Sequence, residues 1–193
     1  MAVDSEVQAF LFRAVSANSA IEALHEDGTL LEQRSGQRRG APRIIDDFTY
    51  PIRVEAARMG GVYELLFCFE NSVRELVETR LQEAFGVDRW WIDGVPNSVR
   101  TKAEKLENRE RKTPWHGPRG RTRLAYVDFP ELGQIITERW EHFEDLLGNP
   151  EWVANFFDET NLGRRAIAHT GVLGRRDADR LASRVQDWLS AVG

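Results

Sequence analysis

A stripe of apolar residues extends between positions 52 and 85. Its members recur every three or four residues, which matches the turn of an α-helix and not the alternation of a strand. They are Val62, Leu65, Leu66, Phe69, Val73, Leu76, Val77, Leu81, Ala84 and Phe85. The pattern predicts a long helix that bends at Gly60-Gly61, ends at Gly86 and forms the spine of the core.

The same periodicity predicts four shorter helices, at residues 4–27, at 128–147, from Trp152 to a stop at Gly171, and at about 177–191. The second of these begins with Asp128-Phe-Pro-Glu131, which has the form of a capping box with proline in the first turn. No segment alternates apolar and polar residues convincingly, and no internal repeat is present. The sequence therefore predicts an all-α fold, an antiparallel helical bundle.

Two basic segments interrupt the apolar periodicity. Residues 33–43 contain two glycines, a proline and four arginines, and we expect a loop or linker there. Residues 98–112 are mostly charged and predict either a solvated helix or a flexible arm, while the glycines and prolines of 113–123 predict a loop. We therefore expect a charged insertion at about residues 97–124.

The chain has 193 residues, of which 41% are apolar, so it can form one domain or one domain with an appended subdomain. We expect residues 1–50 to pack on, or to regulate, a helical domain at residues 51–193. The first ten residues carry acids where a signal peptide carries Lys or Arg, and no apolar run reaches the roughly 18 residues that span a bilayer. We expect a cytoplasmic protein with no membrane contact.

Three side chains in apolar surroundings carry specific expectations. Cys68 is the one cysteine, which excludes an intramolecular disulfide and a Cys-based zinc site, and its apolar neighbours predict a buried thiol. Trp90 and Trp91 are adjacent and cannot share one face of a regular element. We expect one of them in the core and the other at an interface or loop seam.

Several catalytic motifs are missing from the sequence. It contains no phosphate-binding loop ending in Gly-Lys-Ser/Thr, no G-x-G-x-x-G, no His-Glu-x-x-His and no G-x-S-x-G. The four histidines lie far apart without the spacing of metal ligands. We therefore expect no metal and no cofactor. The missing motifs also argue against a nucleoside triphosphatase or a metallohydrolase.

The strongest chemical signal is the stretch 161-NLGRRAIAHTG-171, in which Arg164 precedes His169 by five positions. On a helix, the two residues are about 140° apart around the axis and about 7.5 Å apart along it, so both can border one cleft. An arginine can grip a phosphate and a histidine can move the proton of a ribose hydroxyl, which together suit metal-free RNA cleavage. A histidine at a helix end beside a solvated arginine is the structural alternative.

This stretch, near the end of an all-α chain and preceded by a long helix holding 70-ENSVRELVETRL-81, resembles the HEPN superfamily (higher eukaryotes and prokaryotes nucleotide-binding) over roughly residues 60–190. The defining motif of that superfamily is R-x(4–6)-H, which Arg164 and His169 match. Arg165 stands where the superfamily usually has Asn, Asp or His. Glu70 and Arg74 are similar to an acidic and basic pair of related domains, and a surface salt bridge is the alternative for them.

The resemblance implies a helical bundle that dimerises and places two motif ends in one composite cleft. It also implies metal-independent RNA cleavage by 2′-hydroxyl attack, in a defence, toxin or RNA-stress system. Arg164 and His169 would be the catalytic residues and Arg165, Glu70 and Arg74 would support them. In some members, an antitoxin modifies a tyrosine two places after the motif histidine, but Gly171 occupies that position here, which does not favour that form of regulation.

The charge distribution bears on RNA as a partner. The chain has a net charge of −5, yet residues 98–123 carry nine Lys or Arg against three Glu, a net charge of +6. Arg119, Arg121 and Arg123 are candidate RNA contacts, with Trp115 available for base stacking, unless the insertion is simply solvated. A non-catalytic HEPN module that binds nucleotide, RNA or a protein partner, and a helical scaffold without a nucleic-acid role, remain alternatives.

Overall fold

The computed structural model describes residues 43–113, 115, 117, 119–120 and 122–193. The helix predicted over residues 4–27, and all of the predicted basic loop except Arg43, lie outside the described residues. The chain divides into two compact units, residues 1–60 and residues 61–193. In the described part of the first unit, a 3-10 turn at Arg43–Asp47 precedes a helix, and Asp46 forms an ion pair with Arg53 at 3.5 Å.

The described residues form six α-helices. They are α1 (Tyr50–Phe85), α2 (Asn97–Glu110), α3 (Phe129–Glu138), α4 (Glu144–Leu147), α5 (Pro150–Ala168) and α6 (Arg175–Val192). Short 3-10 turns lie at Arg123–Tyr126 and Trp140–His142, and a π-helical turn lies at Trp90–Gly94. The described residues form no strand, which confirms the predicted all-α fold.

The first helix confirms the predicted stripe and is continuous through the glycine pair, while the bend at Gly60-Gly61 stays a prediction. Helical hydrogen bonding continues through Gly60 and Gly61, so the assigned helix is uninterrupted from Tyr50 to Phe85. Glycine weakens a helix by about 1 kcal/mol but does not stop it when the residues around it are strong helix formers. The helix ends where expected, because Gly86 adopts a positive φ of 79° that suits a residue without a side chain.

The tryptophan expectation is wrong. Trp90 and Trp91 are both buried, with 8% and 5% of their surfaces exposed, and their rings meet edge to face at 5.6 Å between centroids. The π-helical turn from Trp90 to Gly94 differs from the regular helix or strand on which the expectation rested. Its wider turn allows the two neighbouring rings to enter the same core.

The helix predicted over residues 128–147 is broken near its middle. It begins as predicted, since the Asp128 N–H donates to Glu131 Oε2 at 3.0 Å in the manner of a capping box. It ends at Glu138, and a 3-10 turn and α4 complete the segment. At the break, the Arg139 side chain donates from Nε to the Gly94 carbonyl at 2.9 Å. The two residues are 45 positions apart, so no local sequence pattern predicts this bond.

The core of the second unit is a cluster of aromatic rings from four helices. Phe69 of α1 meets Phe129 of α3, Phe156 of α5 and Trp188 of α6 at centroid distances of 5.7, 5.9 and 6.0 Å. Edge-to-face and offset packing of this kind stabilises a core beyond the area it buries. The cluster fixes α5, and therefore the 161–171 stretch, against the middle of α1.

The structure also bears on the predictions for the charged segment and for Cys68. Residues 97–110 form helix α2, which supports the helical alternative for the charged segment, and Val99 and Ala103 are its buried residues. Cys68 is exposed, so the prediction of a buried thiol is wrong, because it follows Phe67 on the outer side of α1 while Phe69 faces the core.

Two further features of the described ranges concern membranes and metals. No helix there combines the length and apolar character needed to cross a bilayer. No group of three or more His, Cys, Asp or Glu side chains in the same ranges is arranged to hold a metal ion.

Candidate functional site

Helix α5 carries the 161–171 stretch to its C-terminal end. The helix begins at Asn149, whose side-chain oxygen accepts hydrogen bonds from the Glu151 and Trp152 N–H groups at 2.8 and 3.3 Å. It ends at Ala168, and the Gly171 N–H then donates to the Ala166 carbonyl at 2.7 Å. A β-carbon at Gly171 would lie 2.8 Å from that oxygen, so this tight helix end requires glycine.

Glu70 in the middle of α1 joins two arginines. One carboxylate oxygen, Oε1, accepts from Arg74 Nη2, and the other, Oε2, lies 3.4 Å from Arg164 Nε. Glu70 and Arg74 are mostly buried, with 13% and 16% of their side chains exposed, so this is not the solvent-exposed salt bridge considered for the pair. A charged pair that is withdrawn from solvent is sensitive to removal of either partner.

The Arg74 side chain binds the backbone at the turn Arg123–Tyr126. Its Nε donates to the Leu124 carbonyl at 3.0 Å, and its Nη2 also lies 3.4 Å from the Val127 carbonyl. Its Nη1 lies 3.5 Å from Asn71 Oδ1. Every nitrogen of this guanidinium therefore has a protein partner, so Arg74 orients Glu70 and the turn rather than a ligand.

Arg164 is held differently. Its Nε faces Glu70, while its terminal Nη1 and Nη2 groups have no hydrogen-bond partner among the described residues. The side chain is 31% exposed. An arginine anchored through Nε presents its two outer N–H groups in the fork that binds a phosphate.

His169 and Arg165 lie on the neighbouring, exposed side of the same helix end. The backbone N–H of His169 donates to the Arg165 carbonyl at 3.1 Å, so the two residues are one helical turn apart. Both side chains are exposed, and neither has a hydrogen-bond or ion-pair partner among the described residues. Arg165 is therefore the arginine that shares a face with the histidine, and Arg164 is the one that faces α1.

A cleft of about 1000 Å³ runs along α1 beside this helix end. Tyr63, Phe67 and Glu70 line it from α1, and Arg164 and Ala168 line it from α5. His169, which follows Ala168 directly, is exposed and is not among the residues that line the cleft. The volume is in the range of small-molecule and short oligomer sites.

The far wall of the cleft belongs to the segment before the 3-10 turn at Arg123–Tyr126. Arg119 lies in that wall and forms an ion pair with Glu110, at the end of α2. The hydrogen bond from Arg119 lowers the pKa of the Glu110 carboxyl, and burial together with the Glu110 charge raises the pKa of Tyr126. These contacts fasten the wall to the bundle.

Two of the three arginines proposed for RNA contact, Arg119 and Arg123, lie among the described residues, and both contact other side chains. Arg119 is paired with Glu110, and the Arg123 guanidinium lies over the Trp91 ring at 5.6 Å from its centroid, a cation–π arrangement. Arg121 lies outside the described residues. Trp115 is 79% exposed, which leaves its ring accessible.

Sequence reasoning singled out Glu70, Arg74 and Arg164 and considered a salt bridge between the first two, but it did not predict the contact of Glu70 with Arg164. Glu70 and Arg164 are 94 residues apart, and core packing such as that of Phe69 against Phe156 brings their helices together. The aromatic end of the cleft, at Tyr63 and Phe67, was also missed. A signal was available, because these two large rings lie outside the core stripe of α1.

Comparison with protein families matches residues 64–193 to the family described as Swt1-like HEPN. The matched range includes Glu70, Arg74, Arg164, Arg165 and His169. Comparisons with curated proteins and with solved structures give no significant match.

Proposed function

Because the chain belongs to the Swt1-like HEPN family, we propose that it is a metal-independent endoribonuclease that uses Arg164 and His169. The family supports a ribonuclease or a nucleotide-binding module. The choice of ribonuclease rests on the helix end, where an anchored Arg164 lines the cleft and an unpartnered His169 follows on the exposed side of the helix. The reaction would be attack of a ribose 2′-hydroxyl on the adjacent phosphate, giving a cyclic phosphate end and a free 5′-hydroxyl.

The observation that carries the proposal is the state of Arg164. Glu70 holds its Nε at 3.4 Å, and its two outer nitrogens remain available at the cleft. Charge builds on the non-bridging oxygens as the phosphate becomes five-coordinate, and a pre-positioned guanidinium stabilises that charge. Because Glu70 fixes the side chain before substrate arrives, little reorganisation is needed.

His169 supports a composite site between two copies. Its side chain is exposed one turn from Arg165, directly after Ala168, which lines the cleft. The reaction needs a base for the 2′-hydroxyl and an acid for the leaving oxygen, and one imidazole cannot do both in a single step. A two-fold dimer across this helix end would supply a second His169.

The test combines product chemistry with a modified substrate. Purified protein in EDTA should cut single-stranded RNA into fragments with 2′,3′-cyclic phosphate ends, and an oligonucleotide with one 2′-deoxyribose should resist cleavage only at that position. Cleavage at the 2′-deoxy position, or complete dependence on added metal, would refute the proposed chemistry. Sedimentation at micromolar concentration should give the mass of a dimer.

A non-catalytic HEPN module is the second candidate, and the Glu70–Arg164 contact favours it to the extent that it neutralises Arg164. Arg165, in the place of the smaller polar residue usual in the superfamily, points the same way. This candidate predicts binding of RNA, nucleotide or a protein through the same helix end with no product ends formed. A nuclease assay run beside a binding assay separates the two.

A further inference from the structure

We propose that Tyr63 and Phe67 form a subsite that stacks an unpaired nucleobase of the RNA, next to the phosphate held by Arg164. This inference rests on the proposed function, because it assigns the substrate contacts of the same cleft. Both rings line the cleft that Arg164 lines. They are 58% and 57% exposed, although each is large enough to belong in a core.

The position of the rings on α1 supports the subsite. Tyr63, Phe67 and Glu70 follow each other at spacings of four and three residues, so they lie on one stripe of the helix. Phe67 is one turn from Glu70, about 4.5 Å along the axis, and Glu70 holds Arg164. An aromatic face and a cationic fork one turn apart match the base and the phosphate of a single nucleotide.

The two rings are arranged as separate faces rather than as a closed stack. Their centroids are 6.2 Å apart and their planes are inclined by 39°. Each ring therefore keeps a face that another flat group can cover. Stacking is tolerant of base identity, since every base has such a face, but it requires a base that is not paired in a duplex.

The remainder of the cleft sets the length of RNA that it can hold. Further along α1, Glu75 and Glu78 line the same cleft, and Glu78 accepts from Gln82 Nε2 at 3.1 Å. Carboxylates repel a phosphate backbone, so RNA bound at the aromatic end is expected to turn away before reaching them. The cleft thus favours one or two unpaired nucleotides beside the cut.

A nucleotide explains the cleft better than a contact between copies does. The patch combines two rings with Arg164, whose outer nitrogens have no partner among the described residues, and a phosphate supplies the complementary charge. A purely apolar partner surface would leave the two outer nitrogens of that guanidinium without a hydrogen-bond acceptor. The dimer contact remains an outcome of the test.

The test measures binding of a fluorescent octanucleotide with 2′-O-methyl riboses, which cannot be cleaved because it lacks the attacking hydroxyl. Tyr63→Ala and Phe67→Ala should each weaken binding by about 5- to 100-fold, the range for losing one base–aromatic stack. Tyr63→Phe and Phe67→Tyr should keep the affinity of the wild type, whereas Phe67→Leu, which keeps apolar bulk without the ring, should lose it. Leu162→Ala is the matched control, since Leu162 is 69% exposed on α5 but does not line this cleft.

The outcomes separate the subsite from the nuclease. Unchanged affinity in both alanine variants, or equal ring dependence for the same octanucleotide annealed to its complement, would overturn the subsite while leaving cleavage intact. Conversion of a dimer to a monomer by Phe67→Ala would assign the ring to a contact between copies and also overturn it. Ring-dependent binding by a protein that cuts no RNA would support the subsite and refute the nuclease.

Discussion

Glu70 Oε2 lies 3.4 Å from Arg164 Nε and links the middle of α1 to the last turns of α5. The contact orients the arginine of the R-x4-H motif toward the cleft and leaves its outer nitrogens available. It also distinguishes Arg164 from Arg165, which is exposed on the side of His169. The motif therefore presents two cations with different environments.

Removing the Glu70 charge should impair catalysis through Arg164. In Glu70→Gln, the ion pair with Arg164 is lost while side-chain size is kept, and kcat for RNA cleavage should fall on the order of 10- to 100-fold, as expected when a catalytic group is misplaced. Glu75→Gln is the control, since Glu75 lines the same cleft without contacting Arg164. A kcat that falls only in proportion to the folded fraction, followed by circular dichroism, would mean that Glu70 is purely structural.

Arg165 should contribute to RNA affinity more than to the chemical step. It is exposed and has no ion-pair partner among the described residues, so its charge is available to a phosphate. Arg165→Gln should weaken binding and reduce the slope of log affinity against log salt by about 0.7, the value for one phosphate contact on a single strand. An unchanged slope would show that Arg165 does not contact the RNA backbone.

Two glycines should respond oppositely to alanine. A β-carbon at Gly133 would lie 2.7 Å from the Phe157 ring, so Gly133→Ala should force α3 and α5 apart and destabilise the fold by about 1–3 kcal/mol. Gly61 has no atom within 4 Å of such a carbon, and Gly61→Ala should stabilise the helix by up to about 1 kcal/mol. Urea unfolding of both variants measures the difference, and equal effects would contradict this packing.

The wall of the cleft should respond to acid through Glu110. The Arg119 hydrogen bond lowers the pKa of this carboxyl in the folded protein, so its contribution to stability is present at neutral pH and is lost as pH falls through the lowered value. An NMR titration should place the midpoint of Glu110 below its ordinary 4.5, and Arg119→Gln should move it upward. A midpoint that does not respond to Arg119→Gln would exclude the ion pair as the cause.

Local sequence rules predicted the parts of this structure that depend on local chemistry. The apolar stripe of α1, the stop at Gly86 and the capping interaction of Asp128 with Glu131 all follow from residues a few positions apart. The interruption at Arg139 was not predicted, and the side chain there donates to a carbonyl 45 residues away at Gly94. The apolar periodicity continues past Arg139, so it predicted one helix over residues 128–147. The structure has α3, a 3-10 turn and α4 there.

In the candidate site, too, local features were predictable from the sequence and long-range contacts were not. The spacing of Arg164 and His169 is visible in the sequence, and helix geometry predicted from it that both can border one cleft. The anchoring of Arg164 by Glu70 could not be read, because it depends on how the aromatic core places α5 against α1. Burial of both Trp90 and Trp91 was missed because a π-helical turn has no reliable sequence signature.

We propose that Arg164 and His169 act together on RNA without a metal. The most direct measurement is the single-turnover rate of RNA cleavage in EDTA for the wild type and for His169→Ala, with melting temperatures measured on the same samples. His169 is exposed, so its replacement should leave the fold intact while lowering the rate by about 100-fold or more, the contribution expected of a general acid or base. Equal rates for the two proteins would contradict the assignment of the active site.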